Sequence, residues 1–104
     1  MKRVFVTGGA HGIGKAIVEA FCAKDCRVAF CDIDEQRGEH LAAETGAHFF
    51  PLDVCDVCAL ETCVQRLFAE WGDLDIIVNN VGIGGFEPIT ETSVEQFERV
   101  LNTN

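Results

Sequence analysis

The chain has 104 residues and a formal net charge of −9, with 17 acidic and 8 basic side chains. That length fits one domain, and the scattered basic residues exclude a nucleic-acid or acidic-membrane surface. No apolar run approaches the roughly 20 residues of a membrane span, and the first residues lack the apolar core of a secretory leader. A cytoplasmic location is therefore expected, with neither membrane nor nucleic acid as partner.

The elements alternate along the chain. Arg3–Thr7 reads as a short buried strand. Ile13, Ala16, Ile17, Ala20 and Phe21 recur at helical spacing and predict a first helix. Residues 27–31 form a second apolar run that ends at Asp32. Glu35–Thr45 predicts a charged helix with Leu41 and Ala42 turned inward and Gly46 at its C-terminal stop. Residues 47–52 predict a third strand, with Pro51 near its end, where a missing N–H is tolerable. Val57, Leu60, Val64, Leu67, Phe68 and Trp71 predict a long amphipathic helix capped by Asp56. Residues 74–78 give a fourth strand, followed by Asn79-Asn80-Val81-Gly82 and a glycine-bearing loop through Pro88. Thr92-Ser93-Val94-Glu95 fits a capping box opening a last helix through Val94, Phe97, Val100 and Leu101. Strands alternating with helices predict βαβ units and a parallel sheet with right-handed crossovers.

Six cysteines in a small chain suggest disulfides only where secretion is indicated. Most of these six fall on apolar positions, where free cysteine behaves as a small hydrophobe. Cys55-Asp56-Val57-Cys58 has C-x-x-C spacing but no second ligand pair, and His11, His40 and His48 supply none. No metal is expected.

The most informative stretch is Thr7-Gly8-Gly9-Ala10-His11-Gly12-Ile13-Gly14, between a strand and a helix. The first N–H groups of a helix lack internal partners, and its dipole is positive there, so a phosphate can supply the acceptor. Asp32 follows Gly14 by 18 residues at the end of the second strand. The dinucleotide fingerprint places a ribose-binding acid at about that distance. A carboxylate there repels a 2′-phosphate, which favours NAD over NADP; a protonated His11 would soften the preference. Asp53-Val54 and Asn79-Asn80-Val81-Gly82 follow the third and fourth strands. All four strands thus end in polar or glycine residues on one rim, where open parallel sheets bind ligands. Polar strand-to-helix turns are common, but four on one rim exceed what that explains.

These motifs resemble the classical short-chain dehydrogenase/reductase family, over the whole chain. Thr7-Gly8-x-x-x-Gly12-Ile13-Gly14 is similar to its glycine turn, and Asn79-Asn80-Val81-Gly82 to its Asn-Asn-Ala-Gly. The resemblance implies a single Rossmann-like, doubly wound α/β half-domain over residues 1–104, with strand order 3-2-1-4. It implies cofactor contacts from Gly8, His11, Gly12, Ile13, Gly14, Asp32, Asp53, Val54, Asn80 and Gly82, with Asn79 bracing the sheet. It also places Asn104 at the family's catalytic asparagine.

The family's hydride transfer between the nicotinamide and an alcohol/carbonyl pair needs a serine and a Tyr-x-x-x-Lys pair. This sequence has no tyrosine, and its one serine, Ser93, sits at an expected helix start. The resemblance therefore implies a truncated, cofactor-binding half, inactive alone. A small-molecule alcohol or carbonyl substrate is expected only in a longer form. Self-association into a homo-oligomer, through a fourth strand left at the sheet edge or through the last helix, is therefore expected. The alternatives are a non-catalytic NAD-binding module and a structural remnant.

Overall fold

The computed structural model describes residues 1–80 and the backbone of 90–92. Its elements run β1 (Arg3–Thr7), α1 (Gly12–Ala23), β2 (Arg27–Asp32), α2 (Glu35–Thr45), β3 (His48–Pro51), α3 (Val57–Trp71), β4 (Ile76–Asn79) and β5 (Thr90–Thr92). The expected last helix lies outside the described residues.

The sheet order is β3-β2-β1-β4-β5. The first four strands are parallel, with Val6 opposite Phe30 on β2 and Val78 on β4. The order 3-2-1-4 therefore holds. One expectation does not: β4 is not at the edge. Thr90–Thr92 pairs with it antiparallel, Val78 opposite Glu91, and so supplies the ladder that an edge strand would lack. The argument for self-association through a bare fourth strand falls with it. Thr92, read as the start of a capping box, ends this strand.

Both faces of the sheet are covered. Phe5, Ala29, Cys31 and Ile77 pack with Leu60, Cys63, Val64, Leu67 and Trp71 of α3. Val4, Val6, Val28, Phe30 and Val78 pack on the other side with Val18 of α1 and Leu41 of α2. The alternation Val4, Phe5, Val6 assigns successive side chains to opposite layers. A strand buried on both faces reads as continuously apolar, as β1 does.

Local chemistry sets the boundaries. Asp34 caps α2 by accepting from the Arg37 N–H at 3.1 Å, and Asp56 caps α3 by accepting from the Ala59 N–H at 3.1 Å. Gly46 ends α2 with φ +81, a left-handed angle that glycine adopts without strain. Gly38 lies inside α2 because a Cβ there would overlap the Phe49 ring of β3. Pro51 closes β3, the outer strand among the described residues, where no described strand needs its N–H. β4 begins later than expected because the Asp75 carboxylate takes the Arg3 N–H at 2.8 Å.

The apolar stripe expected for α1 is displaced. Ile13, Ala16 and Ala20 are exposed, whereas Gly14 and Val18 are buried and Ile17, Phe21 and Cys22 half-buried. Close seating of Gly14 rotates the helix to this face. Among the described residues no helix is long and apolar enough to cross a membrane.

Candidate functional site

The turn from β1 to α1 is held from three sides. The Gly8 and Gly9 N–H groups donate to the Cys31 carbonyl of β2 at 2.8 and 3.1 Å. From β4, the Asn80 side-chain amide donates to the Gly8 carbonyl at 2.9 Å, and the Asn80 N–H donates to Thr7 Oγ1 at 3.0 Å. Thr7 Oγ1 in turn donates to the Val78 carbonyl at 3.4 Å.

The glycines differ in purpose. A Cβ on Gly14 would overlap the Gly8 carbonyl oxygen and lie 2.5 Å from Asn80 Nδ2. Glycine is needed there for space. Gly12 has φ +60 with nothing within 4 Å of a built Cβ, so there the backbone angle makes the demand.

Asp32 is 6% exposed and lies between the turn and the start of α2. Its Oδ2 accepts from the Ala10 N–H at 3.1 Å, and its Oδ1 accepts from the Asp34 N–H at 2.9 Å. His11 Nε2 lies 3.8 Å from Oδ2. Each carboxylate oxygen has two lone pairs, so each keeps capacity to accept from a ligand hydroxyl.

A cleft of about 400 Å³ opens along the C-terminal ends of the parallel strands. Gly8, His11, Gly12 and Ile13 of the turn line it, together with Asp32, Asn80, Asp53 and Val54 from the ends of the other strands. Cys31, Ile33 and Leu52 also line it and were not expected from the sequence. Their signal was adjacency: each neighbours an expected rim residue, and Ile33 is 72% exposed. Gly14 supports the turn from behind rather than lining the cleft. Gly82 and Asn104 lie outside the described residues.

The N-terminus of α1 faces this cleft, and its N-cap, His11, makes no side-chain capping bond, unlike Asp34 and Asp56 on α2 and α3. Among the described residues no N-cap side chain therefore takes up the first N–H groups of α1, which suits them to a ligand. A second recess, of about 570 Å³, adjoins at His11 and Gly12 and includes Lys15, Arg37 and His40. Arg37 pairs with Asp34 at 3.4 Å and His40 with Glu44 at 2.7 Å.

The model of the short chain dehydrogenases matches residues 2–104. The chain belongs to this family. It is 38% identical over 105 residues to a sorbitol dehydrogenase of Cereibacter sphaeroides, covering 99% of this chain and 41% of that one. It is 42% identical over 105 residues to the L-fucose dehydrogenase of Mus musculus, covering 99% of this chain and 38% of that protein. The structure of an apo SCOR enzyme from Clostridium thermocellum superposes with a TM-score of 0.73 at 39% identity, over 82% of this chain and 36% of that one. The chain spans about two fifths of the length of these curated relatives.

Proposed function

We propose that these residues bind the adenosine end and pyrophosphate of NAD for a cytoplasmic short-chain oxidoreductase. The reaction of the whole protein moves hydride between the nicotinamide and an alcohol/carbonyl pair, chemistry that the bound dinucleotide supplies. In this reading the uncapped first turn of α1 and the glycine turn take the pyrophosphate. Asp32 accepts from the ribose hydroxyls, and Ile33, Asp53 and Val54 surround the adenine. Asn80 holds the turn in shape, and Asn104 serves the catalytic half.

The observation that carries the reading is the pairing of a buried carboxylate, with acceptor capacity to spare, with an uncapped helix N-terminus in one cleft. With no tyrosine in the chain, these residues bind without turning over substrate.

Calorimetric titration of NAD, NADP and ADP-ribose into the chain tests this. NAD and ADP-ribose are expected to bind comparably, because both carry the groups assigned here. NADP is expected to bind about tenfold or more weakly, since about 1.4 kcal/mol of repulsion at Asp32 gives that factor. Absence of NAD binding to the folded chain would refute the reading. NADP binding tighter than NAD would instead assign a 2′-phosphate to the recess of Lys15 and Arg37.

A further inference from the structure

The six cysteines divide sharply by environment. Cys31 and Cys63 are buried, Cys22 and Cys26 half-buried, and only Cys55 and Cys58 exposed. Those two straddle the start of α3: Cys55 precedes the cap Asp56, and Cys58 is the second helical residue. Cys58 lies on the wall of an open groove of about 510 Å³ that also includes Asp56 and Leu52.

Cys55 is tied to that cleft. Its N–H donates to Asp53 Oδ1 at 2.9 Å, and the Asp53 carbonyl accepts from the Asp56 N–H at 2.9 Å. Residues 53–56 therefore form one closed turn, with Asp53 on the cleft wall and the first thiol at its other end. The Asp53 charge, and a hydrogen bond from the thiol to that carboxylate, also push the Cys55 thiol above its ordinary range.

We propose that Cys55 and Cys58 are a reversible thiol–disulfide modification site whose oxidation loosens the cofactor cleft at Asp53. The oxidant is a small-molecule disulfide. The Cys58 thiolate attacks one of its sulfurs, forming a mixed disulfide and releasing one thiolate. The Cys55 sulfur then attacks the Cys58 sulfur, its proton passing to the second departing thiolate, which leaves as a thiol. The protein loses two hydrogens, and the oxidant is reduced to two thiols. A disulfide between residues 55 and 58 would tie the Cys55 end of the 53–56 turn to the first turn of α3, and the Cys55 N–H that donates to Asp53 Oδ1 belongs to that turn. Exposed or strained disulfides of this kind belong to the labile, regulatory class.

The coupling to the cleft rests on the cofactor reading above, whereas the chemistry of the pair does not. The test incubates the folded chain with glutathione disulfide, maps its thiols by peptide mass spectrometry, and titrates NAD before and after. The expected result is a Cys55–Cys58 disulfide, reversed by dithiothreitol, with NAD bound about tenfold more weakly, a factor equal to about 1.4 kcal/mol. Cys58→Ser is expected to bind NAD as the parent does and to lose the oxidant effect. A stable mixed disulfide at either cysteine, or no oxidation, would overturn the pair. A mapped disulfide with unchanged NAD affinity would overturn the coupling. Failure of the reduced chain to bind NAD would refute the cofactor reading, while the mass map would still decide the disulfide.

Discussion

Replacing Asp32 with alanine should cost stability as well as ligand affinity. The carboxylate joins two backbone donors, the Ala10 N–H at 3.1 Å and the Asp34 N–H at 2.9 Å. Ala10 is 3% exposed, so its N–H would be orphaned in Asp32→Ala. A buried unsatisfied donor costs about 1–3 kcal/mol. The Asp34 N–H is half-buried and can be reached by water, so its loss adds less. Removing a carboxylate from a site 6% exposed returns part of its desolvation cost. The balance is a destabilisation of about 2 kcal/mol. At about 4–8 °C per kcal/mol for a small domain, Tm should fall by roughly 8–16 °C. Circular dichroism melts of parent and variant, at a fixed protein concentration without ligand, provide the measurement. A carboxylate serving the ligand alone would leave the melt unchanged. A shift below about 2 °C would therefore refute the structural part of the reasoning. Loss of NAD binding in Asp32→Ala is interpretable only alongside that melt.

Gly14→Ala should destabilise the chain by about 1–3 kcal/mol, the usual cost of overpacking, because its methyl meets the Gly8 carbonyl and Asn80; a chemical denaturation midpoint equal to the parent's would contradict this. Burial pushes the Cys31 and Cys63 thiols up to about 12 from 9.0. The unfolded chain then releases these protons first, so stability is complete below pH 9 and falls as pH rises toward 12. At pH 10 the loss should be about 1.4 kcal/mol per thiol, readable as an alkaline slope in denaturation midpoints that Cys63→Ala roughly halves. At the opposite extreme, hydrogen bonds from the Arg3 side chain and N–H hold the Asp75 carboxyl below its ordinary value. Its contribution is present above the unfolded value and lost as pH falls through the folded one, so Asp75→Asn should flatten the acid limb of the stability curve; an unchanged limb would count against the pair. A thiol reagent should label Cys55 and Cys58 rapidly in the native chain and Cys31 and Cys63 only on unfolding.

Much of the architecture was legible because each local signal had one physical solution. The Asp56 carboxylate caps α3 and Gly46 supplies the left-handed stop of α2, as their positions predict. Four apolar runs separated by helices admit a parallel sheet and little else. The rim residues Gly8, Asp32, Asp53 and Asn80 were readable because they end strands, and parallel strands end on one side.

Other features depended on contacts distant in sequence. The burial stripe of α1 departs from its apolar pattern: Ile13 and Ala20 are apolar yet exposed, because the seating of Gly14 against the Gly8 carbonyl sets the rotation of the helix. The antiparallel partner of β4 was missed because Thr90–Thr92 is too short to show a period of two. The bond of Asn80 to Gly8 spans 72 positions of sequence and appears only when β1 and β4 lie side by side. Sequence alone determined the order and kind of the elements through capping, turn angles and apolar runs, which are local energies. Only the tertiary structure decided that Asp32 is a buried joint of the turn, and which thiols meet water, because burial and orphaned donors are properties of packed neighbours.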